Sequence, residues 1–87
     1  MGKRFVFFYF MKRDPEKIKT VVPLHIEYWH ELSLNKYLGG PFADRSGGLI
    51  TFEAESIEEA IRLANNDPFV LQDLLESKWI KEWVVEI

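Results

Sequence analysis

Two residues of this chain have side chains suited to moving a proton between them. His25 stands on what its neighbours' spacing reads as the apolar face of a helix, and Asp67 is a carboxylate directly before Pro68. An imidazole exchanges its proton near neutral pH and suits general acid–base work. A carboxylate on one ring nitrogen would fix the tautomer and raise the basicity of the other. Each residue also has a plainer reading. A core histidine can be satisfied by a backbone carbonyl or a water, and aspartate before proline is a good helix N-cap. Capping and pairing are compatible, because a carboxylate has two oxygens.

Around this pair the sequence offers a pocket wall. Tyr9, Tyr28, Trp29 and Phe69 are aromatics that could line it, with a place in the core as the alternative. Gly39-Gly40-Pro41 could let a ligand approach the backbone at Gly40 and Pro41, or could mark a bend or bulge in a strand. No Lys-Ser or Lys-Thr follows these glycines, so they are not a phosphate loop. His30 falls nearly opposite His25 on the helix and is read as facing solvent. That geometry and the absence of cysteine argue against a metal site, and no cofactor is expected. Ser33, Ser46, Ser56 and Ser77 lack a nucleophile-elbow setting.

These residues need elements to hold them. Arg4 to Met11 reads as a strand, with Phe5, Phe7, Tyr9 and Met11 on one side and Val6, Phe8 and Phe10 on the other. Val21 to Leu34 reads as a helix whose apolar face carries Val21, Val22, His25, Tyr28, Trp29 and Leu32. Pro23 falls in its first turn, and Asn35 is its expected C-cap. Asp14-Pro15-Glu16 reads as a turn or a helical lead-in. Tyr37 to Phe42 and Leu49 to Ala54 read as strands joined by the loop Ala43 to Gly48. Ser56 and Glu59 form a capping-box pattern before a helix with Ile57, Ala60, Ile61 and Ala64 on one face. Asp67-Pro68 opens a short helix through Leu75, and Trp79 to Ile87 reads as the last strand.

The 87 residues read as one domain, residues 1–87. Their order of elements is the ferredoxin-like α+β pattern, an antiparallel four-stranded sheet with helices on one face. The first strand is apolar on both sides, so the uncovered face needs a partner. A second copy of the same sheet is the simplest one, giving a homodimer built as a dimeric α/β barrel. Net charge is −3 with no sustained basic block, which disfavours nucleic acid. The aromatic run near the start is too short to span a membrane and has no signal-peptide cleavage pattern. A cysteine-free chain is compatible with a reducing cytoplasm, the expected location.

Taken in order, Pro23-Leu24-His25, Gly39-Gly40-Pro41-Phe42, Ser56-Ile57-Glu58-Glu59-Ala60 and Asn66-Asp67-Pro68-Phe69 resemble the YCII-related (YciI-like) domain over nearly the whole chain. The resemblance implies a dimeric α+β barrel with an active site on a histidine–aspartate pair, which fall by motif on His25 and Asp67. Most members have no established reaction. A few relatives are dehydrochlorinases, and the fold is shared with muconolactone isomerase. The chain departs from the pattern at Val22, where the family often has arginine, and at Leu34-Asn35-Lys36, where it often has glycine. Two functions follow as expectations. One is a small cofactor-independent enzyme in which His25 takes a proton beside a carbonyl or lactone, for elimination or isomerisation. The other is a non-catalytic domain that binds or senses a small metabolite.

Overall fold

The computed structural model describes residues 2–86. Its elements are β1 (Lys3–Met11), α1 (Pro15–Glu31), β2 (Leu38–Pro41), β3 (Gly47–Ala54), α2 (Ile57–Asn65), α3 (Pro68–Leu71) and β4 (Leu75–Glu82). The strands form one sheet in the order β2-β3-β1-β4, and every pairing is antiparallel. This is the ferredoxin-like α+β arrangement, with the central strand β1 the most apolar segment of the chain.

Register decides which side chains meet the helices. Phe5 lies opposite Phe52, Phe7 opposite Ile50 and Tyr9 opposite Gly48, so these share one face. Phe5, Phe7, Tyr9, Ile50 and Phe52 are buried there with Val21 and Trp29 of α1 and Ala60, Leu63 and Ala64 of α2. Each buried aromatic of this kind contributes about 1.5–3 kcal/mol relative to exposure. The other face carries Val6, Phe8, Leu49 and Trp79, with Phe8 stacked on Trp79 at 5.1 Å. No element among the described residues covers that side.

Several boundaries differ from the sequence reading, each for a local reason. α1 begins at Pro15, not Val21, because Asp14 caps it by accepting the Lys17 N–H. Pro23 therefore lies inside the helix rather than in its first turn. The carbonyl it deprives belongs to exposed Lys19, which water can satisfy. The helix ends at a Leu32 cap, and Ser33 and Lys36 take positive φ, so Asn35 is not the C-cap. Ser56 caps α2 through the Glu59 N–H, but no return bond from the Glu59 carboxylate is present among the described residues. The buried stripe of α2 is Ala60, Leu63 and Ala64, leaving Ile57 and Ile61 exposed.

The largest shift is at the C-terminal strand. α3 stops at Leu71 rather than Leu75, and β4 runs Leu75–Glu82 rather than from Trp79. Leu75 already pairs with Met11, and Glu82 with Phe5, near the start of β1. Past Glu82 the strand has little left to pair with, apart from the Trp83 N–H on the Arg4 carbonyl. Ile87, read as part of this strand, lies outside the described residues.

Candidate active site

His25 sits in the middle of α1 and Asp67 at the N-cap of α3, and the packing of these two helices brings them together. His25 Nδ1 lies 2.9 Å from both Asp67 Oδ1 and Oδ2. Asp67 is fully buried, and His25 is 9% exposed. The carboxylate takes two further bonds, from Trp29 Nε1 to Oδ2 at 2.9 Å and from the Phe69 N–H to Oδ1 at 2.8 Å. Three donors on two oxygens match an acceptor-only, ionised carboxylate. Asp67 is thus both cap and partner.

That arrangement assigns the imidazole proton. An ionised Asp67 accepts from Nδ1–H, so Nε2 of the neutral ring carries the lone pair. Nε2 faces Tyr9, whose hydroxyl is 3.4 Å away. The ring is clamped by Phe69, which stacks on it at 4.1 Å with an interplanar angle of 12°. The phenol of Tyr9 is held well above its ordinary range by burial first, and then by the negative charge of Asp67. It therefore stays protonated and is a donor toward Nε2 or toward a ligand. A Cβ at position 48 would come within 2.5 Å of the Tyr9 hydroxyl, so Gly48 makes the room this phenol needs.

Beside His25 opens a cavity of about 460 Å³. Buried or partly buried His25, Tyr9, Phe69, Ile50 and Val22 line it, and Ile26, Tyr37, Gly39, Gly40, Pro41, His30 and Arg45 complete it. Of the aromatics expected at a pocket, Tyr9 and Phe69 line it, as do Gly40 and Pro41. Tyr28 and Trp29 do not. Tyr28 donates to the Leu63 carbonyl at 2.6 Å, tying α1 to α2, and Trp29 is buried behind Asp67. Trp29 acts on the site through its bond to the carboxylate and by stacking on Tyr37, which lines the cavity.

His30, read as facing solvent, is exposed and also borders this cavity. The groove extends around the exposed side of α1 past Ile26, so one turn of the helix beyond His25 still borders it. Arg45 has no signal in the sequence at all. It comes from the β2–β3 loop, which no local pattern ties to His25. Among the described residues, no three His, Asp or Glu side chains gather as metal ligands would.

The model of one protein family, the YCII-related domain, matches residues 4–84. The uncharacterised protein YjpA of Bacillus subtilis (strain 168) is 41% identical over 61 residues, covering 68% of this chain and 71% of that protein. Among solved structures, the fold is similar to a 5-chloro-2-hydroxyhydroquinone dehydrochlorinase from Burkholderia phenoliruptrix AC1100, in complex with 2,5-dihydroxybenzoquinone. The TM-score is 0.79 at 22% identity, over 93% of each chain.

Proposed function

Since the chain belongs to the YCII-related domain family, we propose that it is a small cofactor-independent enzyme whose general base is His25. The observation that carries this reading is the 2.9 Å contact of Nδ1 with both oxygens of a buried carboxylate, on a ring that lines an open cavity. Nε2 takes a proton from carbon beside a carbonyl or lactone, and the C–H electron pair moves toward the carbonyl oxygen. Asp67 holds the tautomer and stabilises the imidazolium. In an elimination, the electrons then form a double bond as a leaving group such as chloride departs from the neighbouring carbon. In an isomerisation, the imidazolium returns the proton to a different carbon. Proton transfer by a positioned group is worth about 10²–10⁴-fold in rate.

The dehydrochlorinase with a similar fold, found with a cyclic quinone bound, supports small ring carbonyl compounds as the substrate class. The exposed apolar side of the sheet supports a homodimer formed through that face. Phe10, Leu49, Trp79 and Trp83 are each more than a third exposed. No helix among the described residues is long and apolar enough to cross a membrane, and the cysteine-free composition favours the cytoplasm.

The test is turnover of chlorinated hydroxyquinones and small unsaturated lactones by the wild type and by His25→Gln. The reading expects activity that falls at least about 100-fold in the variant while ligand binding persists. Turnover that survives in His25→Gln would overturn it.

A further inference from the structure

Arg45 is the one permanently charged side chain among the residues lining the cavity, and no carboxylate lines it among the described residues. This is unexpected in a chain with 14 acidic and 11 basic residues. Among the described residues, Lys12 pairs with Asp73 at 3.0 Å, Lys36 with Glu53 at 3.8 Å and Lys3 with Glu82 at 4.0 Å, whereas Lys19, Lys78 and Lys81 have no ion-pair partner. Arg45 has an aspartate as its sequence neighbour and does not pair with it. Asp44 Oδ1 instead accepts the Ser46 N–H at 3.0 Å and the Ser46 hydroxyl at 2.6 Å. Among the described residues, the Arg45 guanidinium has no ion-pair or hydrogen-bond partner.

The backbone adds a second observation. Arg45 has φ 66°, in the left-handed region that glycine or asparagine occupies with less strain. Its N–H closes the turn onto the Phe42 carbonyl at 2.9 Å. A long cationic side chain is held there at a cost of about 1–2 kcal/mol, and it borders both the cavity that His25 lines and a second groove lined by Asp14 and Glu76. The remaining walls of the His25 cavity are apolar or aromatic: Val22, Ile26, Ile50, Phe69, Tyr9 and Tyr37.

We infer that this cavity selects small ring compounds carrying a negative charge, the ring seated among the apolar walls and the charge received by Arg45. The inference rests on the reading of the cavity as a substrate site and specifies the substrate class. A guanidinium gives a carboxylate or enolate two parallel N–H donors, and low-dielectric walls strengthen the attraction.

Benzoate and its neutral analogue benzamide are the probes, titrated into the ¹⁵N-labelled full chain up to tens of millimolar while amide shifts are followed. Benzoate is expected to shift amides at Gly39, Gly40, Arg45 and Phe69 and to bind roughly tenfold more tightly than benzamide, the worth of one charge-assisted bond. Arg45→Asn and Arg45→Gly both suit a left-handed φ. Both are expected to abolish most of that preference while the melting temperature holds or rises. Equal binding of the two probes to wild type, or a preference that survives both variants, would overturn the charge selectivity and leave the cavity reading standing. Absence of any cavity shift with either probe would overturn both. A preference for benzoate in a protein whose His25→Gln variant still turns over substrate would sink the general-base reading and leave the anion site intact.

Discussion

Asp67→Asn is the sharpest perturbation of the site, because it changes charge and donors but not shape. The carboxylate accepts three bonds through two oxygens: Phe69 N–H on Oδ1, Trp29 Nε1–H on Oδ2, and His25 Nδ1–H shared between them. An asparagine must place an NH₂ at one of these two positions. If it replaces Oδ1 it faces the Phe69 N–H, and if it replaces Oδ2 it faces the Trp29 indole N–H. Either orientation sets donor against donor at a position with no exposure. A buried unsatisfied donor costs about 1–3 kcal/mol, and each charge-assisted bond that becomes neutral loses about 1 kcal/mol more. The expected loss is about 3–5 kcal/mol, a large share of the stability of a small domain. At about 4–8 °C per kcal/mol for a domain of this size, the melting temperature should fall by at least about 12 °C. Differential scanning calorimetry at neutral pH reads this directly. In a double-mutant cycle with Trp29→Phe, the two losses should be non-additive by about 0.5–3 kcal/mol. A fall of less than about 3 °C for Asp67→Asn, or strict additivity in the cycle, would refute the bonding scheme.

Other predictions follow from the same geometry. Burial and the Asp67 charge hold the Tyr9 phenol above its ordinary value of 10.0, so the folded state keeps a proton that the unfolded chain releases above about pH 10. Its stabilising contribution is complete below that pH and declines as pH rises, by about 1.4 kcal/mol per pH unit for each such proton. Urea unfolding of Tyr9→Phe from pH 9 to 11 should show a shallower decline than wild type, though Tyr28 and Tyr37 shift the same way; identical slopes would contradict the assignment. Gly48→Ala should push the Tyr9 hydroxyl off its place near Nε2 and weaken ligand binding, measured by titration; unaltered binding would show that the phenol is not needed there. Leu49→Lys with Trp79→Lys should convert a dimer to a monomer in light-scattering chromatography. A wild type that is monomeric at tens of micromolar would remove the open-face dimer.

How much of this was legible in the sequence depends on how local the cause is. His25 on a buried face could be read from helical spacing, since Val21, His25 and Trp29 are the residues α1 buries. The N-cap role of Asp67 followed from Pro68 alone. That the two meet depends on α1 packing against α3, and in the sequence only the family resemblance pointed to it. Pro23 misled the start of α1, because a proline in a helix reads as a first-turn residue, whereas Asp14-Pro15 supplies the true cap. The register of β4 is set by its partner: the strong alternation from Trp79 onward suggested a late strand, while the length of β1 decides where pairing begins and ends. Arg45 was invisible because a loop residue gains its place at a cavity only when the sheet edge folds over α1. Trp29 reads in the sequence as either a pocket or a core aromatic; it is a core residue, and its indole N–H, which no spacing reveals, serves the carboxylate from behind.

The orientation of one imidazole proton bears on the whole chemical account. Long-range ¹H–¹⁵N correlation of the His25 ring in the neutral form should show a protonated Nδ1, slow to exchange beside Asp67, and an Nε2 with the shift of an unprotonated nitrogen. A neutral ring carrying its proton on Nε2 would mean that no base faces the cavity, and the proton-transfer mechanism would fall.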